Sequence, residues 1–174
     1  MSGKFVDVKK AASDGVGAGL PIIGGGGRVP TDKGYNAMIA KAAQKWGVPV
    51  DLALRQAQQE SGNFDPNVIS GKKKSGAGAV GLFQFMPLTA KALGVDPTNP
   101  TQSADKAMGY LAQLFKKFGD WKKAVWAYNW GEGNVAKYLA GQKKALPGET
   151  RKYGLIVVDG YTNEEASQTG ADVL

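Results

Sequence analysis

Seven side chains between positions 104 and 118 share one side of a helix. Ala104, Ala107, Met108, Leu111, Leu114, Phe115 and Phe118 recur at helical spacing through four turns. A stripe that long is buried only when other elements cover it, so it commits the chain to helices packed around it. Ser103 stands where its cap is expected. The other periodic segments agree. Thr31 or Asp32 can cap a helix carrying Tyr35, Met38, Ile39, Ala42, Ala43 and Trp46, with Gly47 as its stop. A second helix is expected over 51–61, with Leu54 and Ala57 inward and Gly62 ending it. Pro87 suits the first turn of a short helix that ends near Gly94. Further short helices are expected over 120–129, 133–140 and 149–157. Gly76, Gly78 and Gly81 interrupt the pattern with a loop or small hairpin. The expected fold class is mostly α, with one glycine-rich loop after the second helix.

The ends read differently. Residues 1–27 hold small residues, finish in four glycines and read as a flexible leader. Residues 28–158 form the expected domain, and 159–174 read as an acidic tail. At 174 residues the chain has room for one domain with a core. There is no internal repeat. The N-terminus lacks the apolar run of a signal peptide, and no stretch approaches the ~20 apolar residues of a membrane span.

Two absences narrow the chemistry. The chain has no cysteine, which excludes disulfides, thiol nucleophiles and cysteine-based metal sites. It also has no histidine, which excludes a Ser-His-Asp triad and an HExxH zinc site. Acid–base work then falls to carboxylates, lysine or tyrosine, and a carboxyl group suits glycosidic chemistry. Charge is divided unevenly. Residues 28–153 carry nineteen Lys/Arg against nine Asp/Glu, a net +10, whereas 154–174 carry none against four. A basic domain suits a polyanionic partner, although solubility alone accounts for it equally well.

Glu60 is the candidate acid. Ala53, Ala57 and Glu60 lie at i, i+4 and i+7, which puts the carboxyl group on a helix face with small apolar residues. Its place in the last turn opposes negative charge. Burial and the helix dipole would both favour the protonated form, as protonation of a glycosidic oxygen requires. The competing reading is an ordinary exposed helix-end glutamate.

Four segments in order carry a resemblance. They are Gln59-Glu60-Ser61-Gly62-Asn63-Phe64-Asp65-Pro66, the run from Ser75 through Gly81-Leu82-Phe83-Gln84-Phe85-Met86-Pro87, then Ala127-Tyr128-Asn129-Trp130-Gly131, and Pro147-Gly148-Glu149-Thr150-Arg151-Lys152-Tyr153. Together, over about residues 46–157, they resemble the soluble lytic transglycosylase family, and the resemblance implies a lysozyme-like helical domain of goose type. It implies Glu60 as the catalytic acid and base. Ser75 and Gln84 would hydrogen-bond the cleaved sugar, and Met86 would line the groove. Tyr128 and Asn129 would face Glu60, with Tyr128 orienting the carboxyl or the N-acetyl group, and Glu149 and Tyr153 would complete the far wall. Four have a plainer reading: Ser75 as a loop serine, Gln84 as a solvated polar residue, and Tyr128 and Tyr153 as core aromatics with satisfied hydroxyls. Phe83 and Phe85 read as core. The chain departs from the family pattern at Phe83, Phe85 and Trp130. Trp130, where alanine is common, either narrows the cleft or adds a stacking surface. Lys72-Lys73-Lys74 lies in a lengthened loop, either as an exposed turn or as a contact with anionic wall groups.

The resemblance also supplies a mechanism needing one carboxyl group and neither metal nor cofactor. The sugar's N-acetyl group assists departure, and its own C6 hydroxyl closes onto C1, giving a 1,6-anhydro-N-acetylmuramic acid end of the peptidoglycan strand. Two rivals stand beside it. One is a goose-type hydrolase, for which Asp65, Glu132 and Glu149 are candidate second acids. The other is an inactive basic virion or nucleic-acid-binding protein, although no nucleic-acid motif is present. The expected setting is a bacteriophage, either in the virion to penetrate the wall or at lysis, acting on the bacterial periplasm and wall, with the terminal arms as docking points for other virion proteins.

Overall fold

A computed structural model describes residues 34–169. Its helices are α1 (Tyr35–Trp46), α2 (Val50–Ser61), α3 (Pro66–Ile69), α4 (Pro87–Leu93), α5 (Pro100–Phe118), α6 (Trp121–Trp130), α7 (Glu132–Leu139), α8 (Gly148–Val157) and α9 (Asn163–Thr169). Among the described residues no strand forms. The one isolated bridge, antiparallel between Val80 and Phe85, makes a small hairpin of the glycine-rich loop.

The long stripe is the centre of the fold, as its length requires. Ala104, Ala107, Met108, Leu111 and Leu114 are buried, while Phe115 and Phe118 pack at the edge. Helix α5 lies against α1 and α6, and α6 in turn carries α7 and α8. Trp46 lies flat over Gly109, where a Cβ would stand 3.1 Å from the ring, and its Nε1 donates to Asp105 at 2.9 Å. Helix α2 packs on α1 and on α8, so two segments distant in sequence meet along one seam.

Three local expectations are corrected. Helix α5 begins at Pro100, with the Asn99 side chain accepting from Gln102 N at 3.1 Å, and Ser103 is buried within the helix. Proline at the first helical position, with asparagine before it, starts the helix a turn earlier than Ser103 would. Leu54 is half-buried, and Leu52 and Ala53 take the inward places beside Ala57. The stretch read as an acidic tail contains α9, whose Ala166 is buried and which packs on α8. Asp159 forms an ion pair with Lys122 at 2.7 Å. Gly34 precedes α1; Thr31, Asp32 and the 1–27 leader lie outside the described residues.

Candidate active site

The last two turns of α2 bury Gln56, Ala57, Glu60 and Ser61. Glu60 is 1% exposed, and among the described residues no other acidic side chain is buried. The helix is stopped directly behind it. Gly62, Asn63 and Phe64 have φ of 61°, 62° and 63°, three successive left-handed residues. That conformation costs roughly 1–2 kcal/mol at a residue other than glycine, so neighbours must enforce it. Ser61 does so: its Oγ donates to Ala57 O at 2.6 Å and accepts from Phe64 N at 2.8 Å. The Phe64 ring stacks on Tyr35, with centroids 5.8 Å apart.

Helix α8 supplies the partner. The Tyr153 hydroxyl donates to Glu60 Oε1 at 2.5 Å, a short bond between buried groups. Burial, then the charge of Glu60 and this hydrogen bond, push the Tyr153 phenol well above its ordinary value. It therefore remains a donor across the range in which an enzyme works. The Gln56 amide lies beside the same hydroxyl, without a hydrogen bond of ordinary geometry.

Helix α6 brings Tyr128, buried and tilted against Tyr110 with centroids 5.8 Å apart. Its phenol is also raised, first by burial and then by the charge of Glu60. Its hydroxyl donates to Phe83 O at 2.9 Å and so holds the glycine-rich loop against α6. That loop is otherwise self-made. Ser75 Oγ accepts from Ala79 N at 2.9 Å, and Val80 and Phe85 exchange two backbone bonds of 3.0 Å. Leu82, Phe83 and Phe85 are wholly buried, as core. Gln84 has a φ of 52°, and its Nε2 donates to Gly81 O at 2.9 Å. Its buried Oε1 has no protein partner, which leaves an acceptor fixed in place.

The remaining expected residues are placed as follows. Asn129 Oδ1 accepts from Thr150 Oγ1 at 2.9 Å, which joins α6 to α8. Met86 is half-buried at the start of α4, and Glu149 is exposed on the first turn of α8. Glu60, Tyr153 and Tyr128 are thus brought together, with Gln84 tied in through the loop. The hydroxyl that reaches Glu60 from α8 belongs to Tyr153, for which the motifs implied only a place on the far wall. Gln56, Ser61 and Thr150 received no role from sequence. Gln56 had a signal, since it precedes Glu60 by one helical turn on the same face. Among the described residues no group of three acidic side chains gathers to hold a metal ion.

The two raised phenols predict an alkaline signature. Below about pH 10 the folded and unfolded chains both keep these protons. Above it the unfolded chain releases them and the folded chain does not. Stability then falls as pH rises, by up to ~1.4 kcal/mol per pH unit for each phenol. In an absorbance titration Tyr128 and Tyr153 should stay silent until the protein unfolds, so at most four of the six tyrosines ionise before then. Six phenols ionising together in the ordinary range would contradict the burial.

The chain is similar in sequence to known proteins. A family model described as Transglycosylase SLT domain matches residues 37–149. Over 80% of its length the chain is 36% identical to the peptidoglycan transglycosylase gp16 of Escherichia phage T7. It is 31% identical, over 68% of its length, to membrane-bound lytic murein transglycosylase D of Escherichia coli. A transglycosylase of Enterobacteria phage PRD1 is 36% identical over 52% of the chain. The chain spans only 11%, 29% and 37% of these relatives' own lengths.

Proposed function

The chain belongs to the SLT transglycosylase domain family, and on that premise we propose that it cleaves peptidoglycan as a lytic transglycosylase with Glu60 as acid and base. The observation that carries this reading is the burial of Glu60: a carboxyl group 1% exposed that receives the Tyr153 hydroxyl at Oε1. In its acid form Glu60 carries the transferable proton. Glu60 gives that proton to the oxygen leaving N-acetylmuramic acid, then takes the proton of the C6 hydroxyl as that oxygen closes onto C1. Gln84 Oε1, fixed and unpartnered, accepts from a hydroxyl or N-acetyl N–H of the bound sugar, with Ser75 and Met86 beside the same strand. Asn129, Tyr128 and Glu149 border the substrate from α6 and α8.

The other acids have partners or positions of a different kind. Asp65 caps α3 through Asn67 N and lies 4.0 Å from Lys73, Glu132 pairs with Lys117, and Glu149 is exposed. None is buried opposite Glu60, which supports the internal hydroxyl over water as the attacking group. Two of the relatives are phage proteins, which supports a role in a bacteriophage particle that opens the wall locally. No described helix is long and apolar enough to cross a membrane.

The direct test is to incubate the protein with purified sacculi, which should release soluble muropeptides; intact sacculi would sink the reading. The basic surface has its own test. Lys72, Lys73 and Lys74 are exposed immediately before the loop that carries Gln84. If they hold anionic wall groups, binding to sacculi weakens as salt shortens the Debye length from about 10 Å at 0.1 M. Replacing all three with Gln should lower binding about tenfold at low salt, roughly 0.5 kcal/mol for each exposed charge, and leave cleavage of short neutral fragments unchanged. Binding that ignores both salt and substitution would remove these lysines from the account.

A further inference from the structure

We propose that Arg55 is a positioning residue that keeps the Tyr153 hydroxyl on Glu60 by fixing how α8 lies on α2; the inference rests on Glu60 being the acid and base. Arg55 Nε donates to Val157 O and its Nη2 to Val158 O, both at 2.9 Å. Val157 ends α8 and Val158 is its cap, so these carbonyls belong to the set that a helix leaves without internal partners. The negative end of the helix dipole favours a cation there. Two neighbouring carbonyls match the planar fork of a guanidinium, which an ammonium group cannot reproduce. The fork is aimed from its own helix: Asp51 Oδ2 lies 3.1 Å from Arg55 Nη1, one turn earlier on α2. The backbone of Gly160 lies against the same group, where a Cβ would stand 3.6 Å from Nη1.

The spacing turns this contact into a register device. Arg55 and Glu60 are five residues apart on α2, about 7.5 Å of rise, and Tyr153 and Val157 are four apart on α8, about 6 Å. The later residue of one pair meets the earlier of the other, so the helices run in opposite directions and are pinned at two points of similar separation. Two pins resist both sliding and rotation of α8 on α2. Helix α8 is also held to α6. Its Gly154 lies against Trp126 and its Thr150 bonds to Asn129. Arg55 has no contact with the reacting atoms and acts through Tyr153.

The test pairs turnover with a readout that does not need it. Arg55→Lys keeps the charge and loses the fork. On soluble glycan fragments it should lower kcat about tenfold with KM little changed, the size of effect expected from a small misplacement of the acid. In a Tyr153→Phe background the same change should cost less than about twofold more, because coupled residues are not additive. In an absorbance titration Arg55→Lys should lower the pH at which one further phenol ionises, because it weakens the burial and the bond to Glu60 that raise Tyr153, and that shift should be missing from the Arg55→Lys, Tyr153→Phe double variant. A kcat within twofold of the parent, or an equal loss in both backgrounds, would overturn the proposal, as would an unchanged titration. If Arg55→Lys does not fold, Asp51→Asn decides. It leaves the carbonyl bonds and frees the guanidinium, and it should move kcat and the titration in the same direction by about threefold and in part; no movement in either overturns the proposal. Should the parent protein cleave no glycan at all, the enzymatic reading fails, while the titration still decides whether Arg55 holds Tyr153.

Discussion

Replacing Glu60 with glutamine is expected to lower peptidoglycan turnover by at least ~10²–10⁴-fold, the usual worth of a positioned acid–base group. The amide keeps the volume of the acid and an oxygen that can accept the Tyr153 hydroxyl, so the buried bond at 2.5 Å has a counterpart in the variant. What disappears is the proton that the leaving oxygen needs and the base that the C6 hydroxyl needs. The fold should remain, because a neutral amide is easier to bury than a carboxylate. Melting within a few degrees of the parent, together with the loss of turnover, would separate chemistry from folding. Clearing of sacculi within a few-fold of the parent would remove Glu60 from the mechanism. Glu60→Ala is the less informative variant, since it leaves the Tyr153 hydroxyl without its acceptor in a buried place, at about 1–3 kcal/mol.

Gly81→Ala should have the largest effect on stability. Gly81 has a φ of 86°, and a Cβ there would stand 1.8 Å from the carbonyl oxygen of Pro97. Backbone cannot swing aside as a side-chain tip can, so the hairpin or the segment before α5 must move. Either movement disturbs Phe83 and Phe85, both fully buried, and the Tyr128 bond to Phe83 O. A loss of more than ~3 kcal/mol is expected, at the upper end of single substitutions. For a chain of this size that is roughly a 10 °C fall in melting temperature. Two neighbours serve as internal controls. At Gly78 the φ is also 86° but a Cβ would meet nothing within 4 Å, so alanine there costs only the backbone term, about 1–2 kcal/mol. Gly76 has neither a left-handed backbone nor a close neighbour, and alanine there should be neutral. The order Gly81, Gly78, Gly76 in thermal melts checks the geometry, and equal effects at all three would refute it.

The helices were legible because burying a stripe leaves a period. Positions 104–118 show it, and so do the glycines that stop α1, α2 and α4 in left-handed caps. The start of α5 was misread because Asn99-Pro100 and Ser103 both satisfy the rules for a beginning, and the proline decided. Helix α9 was missed for a different reason. It buries one small residue, Ala166, on a polar segment, so its support comes from α8 and leaves almost no periodic trace. The site divides in the same way. Glu60 could be placed on its apolar face from spacing alone, and the motifs supplied its company. The bond from Tyr153 crosses 93 positions and that from Arg55 to Val157 crosses 102. Nothing local encodes such contacts, since they follow from how α2 and α8 meet. The positive φ of Phe64 and Gln84 is equally silent in sequence, because neither residue type favours it.

The central claim is that Glu60 works with the sugar's own hydroxyl rather than with water, and one digestion examines it. Sacculi digested in ¹⁸O-labelled water should yield muropeptides with a 1,6-anhydro end, unlabelled at the cleaved carbon and each lighter by one water than the corresponding hydrolysis product. Reducing muramic acid ends carrying the label would contradict the account and would return Asp65, Glu132 and Glu149 to consideration as the carboxylate that activates water.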